Sequence, residues 1–220
     1  MPTIDSPHNH QLSETSMISA SDIAAQKQEF RQRLRARRAE QVPLPSRWAE
    51  NYQKALQEIT AHAMDKLSLD HLTIAAFLPL ESEPPILPAL NYLQKRGHQI
   101  LVPTVEPKRQ LDWVQWTPDV EYIENSLGIR EPRGERKGTD GFNAANVHLI
   151  PALAFETTGV RLGQGGGYYD RLLTSQVSNS PFTFGIAFSH EIVPELPQND
   201  WDVQFSRVLT EEGIYTVPNE

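Results

Sequence analysis

Along the first third of the chain, apolar residues recur at helical spacing. After about residue 70 they come instead in short continuous runs. Ser21 and Asp22 offer an N-cap, Ile23, Phe30 and Leu34 then share a face, and Pro43 and Pro45 end the pattern, which predicts a helix to about Gln41. Beside that face stand Lys27, Arg31, Arg35 and Arg38, a basic ridge at steps of four, four and three. A second helix is predicted from about Ser46 to Lys66, with Trp48, Tyr52, Leu56 and Ile59 as its apolar stripe.

The rhythm then becomes that of strands. His71 to Leu78 and Gln99 to Pro103 are apolar runs of strand length, separated by a predicted helix from Pro85 to Arg96 that Gly97 closes. Strand, helix and strand with short connections make a βαβ unit, hence parallel pairing. Leu111 to Trp116, Val147 to Ala154, Phe182 to Phe188 and Arg207 to Thr210 supply further strands, and Arg133 to Gly141 is expected as a polar, mobile loop. The expected fold is a single α/β domain, Rossmann-like and three-layered, with a mostly parallel sheet and helices on both faces. It would span residues 21–220, behind a disordered N-terminal extension over 1–20.

Composition narrows the function. The chain has 220 residues, 39% hydrophobic and 22% charged, as in a globular protein able to bury its own core. It has no cysteine, so disulfides, thiolate metal sites and a Cys nucleophile are ruled out, and a reducing cytoplasmic setting is the expectation. Acidic residues outnumber basic ones 28 to 20, which disfavours general nucleic-acid binding. No apolar run approaches the roughly 20 residues needed to span a bilayer. The first twenty residues carry no Lys or Arg and fit neither a signal nor a transit peptide. Small-molecule partners and a monomer are expected.

The chemistry concentrates between Gly159 and Leu173, GVRLGQGGGYYDRLL, placed between a predicted strand and a predicted helix. Ligands of open α/β sheets bind at that edge. Four glycines in five positions (Gly163, Gly165, Gly166 and Gly167) exceed what a tight turn needs and suit a backbone cradle for phosphate, reinforced by the following helix N-terminus. Neither standard nucleotide pattern fits: no Lys-Ser/Thr follows the glycines, and Tyr168 stands where GxGxxG requires its third glycine. Asp170 is placed to hold Mg²⁺ beside a phosphate, although the helix dipole favours an Asp there regardless. Arg161 and Arg171 flank the loop and can clamp phosphate oxygens.

RLGQGGGYYDR, together with KQEFRQRLRARR, FLPLESE, GIREP (Gly128 to Pro132) and IPALAFETTGVRLG, resembles the 5-formyltetrahydrofolate cyclo-ligase family, from about Lys27 to Glu211. The resemblance implies an ATP-binding set of Lys27, Arg31, Arg161, Leu162, Gly163, Gln164, Gly165, Gly166, Gly167, Tyr168 and Tyr169. It implies catalytic roles for Lys27 and Arg161, folate contacts at Leu78 and Glu83, and Mg²⁺ ligands at Asp170 and Asp202. Arg35 and Arg38 are expected to be a solvated face. Gln164 departs from the family's usual Arg or aromatic residue, Pro84-Pro85 from its Val-Asp after the glutamate, and Ser206 from a second Asp. Asp200 competes with Asp202 for the register, and Glu83 can also be read as a solvated loop acid.

The implied activity is ATP- and Mg²⁺-dependent closure of 5-formyltetrahydrofolate to 5,10-methenyltetrahydrofolate. Two other readings remain open on the residues alone: a folate- or nucleotide-binding module without catalysis, and a phosphosugar or acyl-CoA enzyme on a similar scaffold. No His, Cys or paired-acid constellation competes with the loop for a catalytic role.

Overall fold

The computed structural model describes residues 19–125, 130–175, 181–199 and 201–218. Residues 1–18, the first two of the GIREP segment and Asp200 therefore lie outside the described residues. Helix α1 (Ala20–Glu40) starts two to three residues earlier than expected, because Ser19 is its N-cap and forms a capping box with Asp22. Helix α2 (Ser46–Leu67) buries Tyr52, Leu56 and Ile59 as its pattern predicts, and Trp48 leans on Phe188 at 5.1 Å between ring centroids.

Strand β1 (Thr73–Ala75) is followed by helix α3 (Leu87–Lys95), then β2 (Gln99–Glu106) and β3 (Gln110–Trp116). Next come β4 (Tyr122–Glu124), β5 (Arg130–Pro132), helix α4 (Gly138–Asn143), β6 (Val147–Pro151), β7 (Ala154–Glu156) and β8 (Arg161–Leu162). Helix α5 (Tyr168–Ser175), β9 (Thr183–Ile186), β10 (Ile192–Val193), β11 (Arg207–Thr210) and β12 (Gly213–Thr216) complete the order.

The main sheet runs β12-β11-β9-β6-β1-β2-β3. Its five central strands are parallel, and only the two edge strands, β3 and β12, pair antiparallel. The βαβ unit is thus β1–α3–β2, in register Ile74 to Ile100. Successive residues point to opposite faces. Ile74, Ile100, Val102 and Leu149 join one core with α2 and α3, while Ala75, Leu101 and Ile150 join the other with α4 and α5. The α/β architecture with helices on both faces matches the expectation. Among the described residues, no helix is long and apolar enough to cross a membrane.

Two local differences matter for the site. The expected strand over Val147 to Ala154 is broken at Ala152–Leu153. Its end, β7, leaves the main sheet for a small sheet ordered β10-β7-β8. That small sheet is keyed to the main one through Phe155: a Cβ on Gly185 of β9 would sit 2.2 Å from the Phe155 ring. The Arg133–Gly141 segment, expected as a loop throughout, opens α4 with its last residues. Lys137 N–H donates to Trp113 O (2.8 Å), Gly138 N–H donates to Asp112 Oδ1 (2.6 Å), and Phe142 is fully buried.

Candidate active site

The site assembles where β1, β2 and β6 end at their carboxyl edges, the position expected of ligands on a parallel sheet. From the end of β1, Phe77, Leu78 and Glu83 line a cavity of about 360 Å³. Pro103 and Val105 enter from β2, Pro151 from β6, and the glycine loop with Tyr168, Tyr169 and Asp170 closes the remaining wall. This volume suits a drug-sized ligand.

The glycine loop leaves β8, so the small sheet rather than a main-sheet strand aims it. Arg161, on β8, is buried. Its Nε donates to Pro151 O (3.0 Å) and its Nη1 to Asp170 Oδ1 (2.5 Å), and its guanidinium lies over the Tyr169 ring. Arg31 of α1 donates from Nε to Gly163 O (3.0 Å). Close approach explains the missing side chains. A Cβ on Gly163 would be 2.8 Å from the Arg161 guanidinium, and one on Gly165 would be 3.2 Å from Arg31 Nε. Gly165 and Gly167 are also left-handed, φ +95° and +74°, which side chains rarely tolerate.

The ridge on α1 is solvated only in part: Lys27 and Arg38 are buried, and Arg35 is exposed. The buried residues of α1 are Lys27, Leu34 and Arg38, so two cations and one leucine face the protein. Lys27 Nζ donates to Asp202 Oδ2 at 2.5 Å. Arg35 donates from Nη2 to Gln164 O (2.5 Å) and from Nε to Gln164 Oε1 (3.2 Å). Arg38, 2% exposed, grips both carboxylate oxygens of Glu191 at 2.7 and 2.8 Å and donates to Ala152 O (2.7 Å). The expectation of a solvated face is corrected for Arg38; Arg35 is exposed as expected, while hydrogen-bonding to Gln164. Both cations find their acceptors across the tertiary fold, on segments more than a hundred residues away in sequence.

Glu83 is likewise no solvated acid. It is 7% exposed, caps Leu80 N–H through Oε2 (3.0 Å) and accepts from Gln164 Nε2 through Oε1 (3.2 Å). Arg38 Nη1 lies 3.8 Å from the same oxygen, an ion pair beyond hydrogen-bond reach. Among the described residues, two donors occupy a carboxylate that can accept about four, so capacity remains for N–H donors of a ligand. The Pro84-Pro85 departure leaves this arrangement intact, since α3 begins only after it, at Leu87. Leu78 and Glu83 share the cavity with the loop.

Asp170 and Asp202 both act electrostatically on Arg31 and on Arg161, so the four charges form one cluster. Burial pulls the pKa of each guanidinium down, and Asp170 partly opposes that. Oxygen donors on two carboxylates, beside a loop shaped for phosphate, are chemically suited to Mg²⁺. No group of three or more metal-type ligands converges among the described residues. A metal here would therefore share its coordination with phosphate oxygens. Ser206 is exposed and outside this cluster, so its departure does not touch the candidate ligands.

Three features escaped the sequence. Arg35 and Arg38 share a helix side with Lys27, a signal present in the spacing but readable as solvated. The Tyr169 hydroxyl is buried and has no hydrogen-bond partner among the described residues, and burial drives its pKa well up. It faces the cavity between Arg161 and Glu83, both of which act on it. Arg130 and Glu131 of β5 complete the cavity wall, brought there only by the β4–β5 hairpin.

Comparison with known proteins shows the family and the fold. The model of the 5-formyltetrahydrofolate cyclo-ligase family matches residues 23–211. The 5-formyltetrahydrofolate cyclo-ligase of Mycolicibacterium smegmatis is 30% identical over 149 residues, 66% of this chain and 76% of that protein. The one from Haemophilus influenzae is 28% identical over 186 residues, 83% of this chain and 96% of that protein. The NMR structure of Aquifex aeolicus 5,10-methenyltetrahydrofolate synthetase shares the fold with a TM-score of 0.62 at 23% identity, covering 88% of this chain and 94% of that one.

Proposed function

The chain belongs to the 5-formyltetrahydrofolate cyclo-ligase family, and from that membership we propose that it converts 5-formyltetrahydrofolate to 5,10-methenyltetrahydrofolate using ATP and Mg²⁺. One observation carries the proposal: a single cavity is lined both by a buried acid, Glu83, and by a glycine loop with buried Arg161. That combination suits a substrate with an aminopyrimidine-like edge that meets a site of phosphoryl transfer.

Residue roles follow from the contacts. Glu83 accepts N–H donors of the pterin and fixes the ring's orientation, with Leu78 and Phe77 as apolar wall. Lys27, Arg31, Arg161 and the loop N–H groups hold the nucleotide phosphates. Asp170 and Asp202 would hold Mg²⁺, which when bound offsets phosphate charge. The N5-formyl oxygen attacks the γ-phosphorus, and the bond to ADP breaks. N10 then attacks the activated formyl carbon, the C–O bond breaks with loss of phosphate, and the N10 proton leaves to solvent as the methenyl bridge forms. The protein's part is alignment and charge neutralisation rather than acid–base chemistry. Lys27 and Arg161, the candidate catalytic cations, are ion-paired with Asp202 and Asp170, the two acids that would hold the metal.

Purified protein given ATP, Mg²⁺ and 5-formyltetrahydrofolate is expected to generate the near-ultraviolet absorbance of the methenyl product. Absence of that signal with every nucleoside triphosphate tried would overturn the proposal.

A further inference from the structure

The glycine loop meets a guanidinium at three of its glycines. Arg161 occupies the Cβ position of Gly163, and Arg31 crowds that of Gly165. The third is Arg109: a Cβ on Gly167 would lie 3.6 Å from its Nη1 and 3.8 Å from its Cδ. Arg109 arrives from the hairpin between β2 and β3, more than fifty residues before the loop.

Two further observations set this arginine apart. First, it and its neighbour Lys108 both sit in the left-handed region, at φ +59° and +61°. Such backbone normally goes to Asn or Gly, and two consecutive long cationic residues there impose strain. Strain of this kind persists where the position of a side chain matters more than the comfort of its backbone. Second, the Arg109 side chain has no ion pair with any described residue. Lys27 and Arg161 are each paired with an aspartate, while Arg31 and Arg35 donate to carbonyls of the loop. The cluster's other charges are therefore already partly balanced. Arg109 adds a positive charge held in no ion pair among the described residues.

Arg109 also borders a cleft of about 330 Å³ between the hairpin and α5, which shares Tyr168 and Leu111 with the main cavity. We propose that Arg109 is a further nucleotide-binding residue, whose guanidinium contacts the anionic oxygens of a polyphosphate seated on the glycine loop at Gly167. A planar fork of donors beside backbone N–H groups is suited to that contact. The inference rests on the proposal that this loop holds ATP.

Arg109→Gly is the discriminating variant, because it removes the side chain and at the same time relieves the left-handed backbone. The KM for ATP and the ATP dissociation constant by calorimetry are expected to rise about ten- to a hundredfold. The KM for 5-formyltetrahydrofolate should stay within about twofold, and Tm should be unchanged or higher. Arg109→Lys should recover part of the affinity. If wild type binds ATP and Arg109→Gly binds it equally well, the assignment of Arg109 fails while the ATP site stands. A lower Tm with both substrates weakened alike would make Arg109 a structural residue and also overturn the assignment. Wild type that binds no nucleotide overturns both proposals.

Discussion

The side-chain amide of Gln164 donates to Glu83 at 3.2 Å, joining the glycine loop to the acid on the far wall of the cavity. The loop residue that departs from its relatives is thus tied to the residue proposed to recognise the pterin. Arg35 holds the same glutamine through its side-chain and backbone oxygens. Helix α1, the loop and the segment after β1 are consequently joined by hydrogen bonds around the cavity.

Glu83→Gln keeps the size of the side chain but loses the charge-assisted pairing. It should raise the KM for 5-formyltetrahydrofolate about tenfold or more, from a loss of about 1.5–3 kcal/mol, and leave the KM for ATP nearly unchanged. Gln164→Ala should move the same constant in the same direction by only a few fold. Steady-state kinetics with each substrate varied in turn decides this. A dominant effect on ATP would contradict the placement of Glu83.

Arg38→Met is expected to be a stability lesion. It strands Glu191, which is fully buried and takes two hydrogen bonds from that guanidinium. Breaking one side of a buried pair costs about 3–5 kcal/mol. Urea unfolding should show the loss, and Arg38→Met combined with Glu191→Leu should recover part of it. An unchanged midpoint would mean that the pair contributes nothing net.

Chelation separates metal-dependent catalysis from folding. EDTA should stop turnover, and added Mg²⁺ should restore it. Tm should not move, because no cluster of three or more metal-type ligands holds the described fold together. Turnover that survives EDTA would remove Asp170 and Asp202 from their proposed role.

Stability should also fall in mild acid. Burial lowers the pKa of His98, with His71 adding to the effect, and its Nδ1 accepts a hydrogen bond from Leu72 N–H at 3.1 Å. The folded ring therefore takes up a proton at lower pH than the unfolded one, so the unfolded state binds more protons in between. Stability is complete above the unfolded value of about 6.5 and is lost as pH falls from there toward the folded pKa. His148 and His190 are lowered by burial too and act with the same sign. Tm measured from pH 7.5 to 5.0 should decline, and His98→Gln, which keeps an acceptor but cannot titrate, should decline less. Equal slopes for the two proteins would exclude His98 as a contributor.

Much was determined by the sequence alone. Periodicity is a local property, so α2, the β1–α3–β2 unit and the helix after the glycine loop could be read from spacing, while the short strand β8 before the loop could not. The loop's composition pointed to an anion for the same reason, whereas the close approach of Arg161 and Arg31 to Gly163 and Gly165 could be seen only in the fold. Pairing was decided only in three dimensions. Arg38 looks solvated in sequence, and becomes structural because Ala152 and Glu191 supply acceptors from distant segments, while the exposed Arg35 reaches Gln164. The break at Ala152–Leu153 was hidden because apolar residues continue through it, serving first one sheet and then another. Arg109 was invisible for a similar reason. No local pattern marks a hairpin residue as a neighbour of Gly167; only the antiparallel return of β3 beside β2, at the edge of the parallel sheet, brings them together.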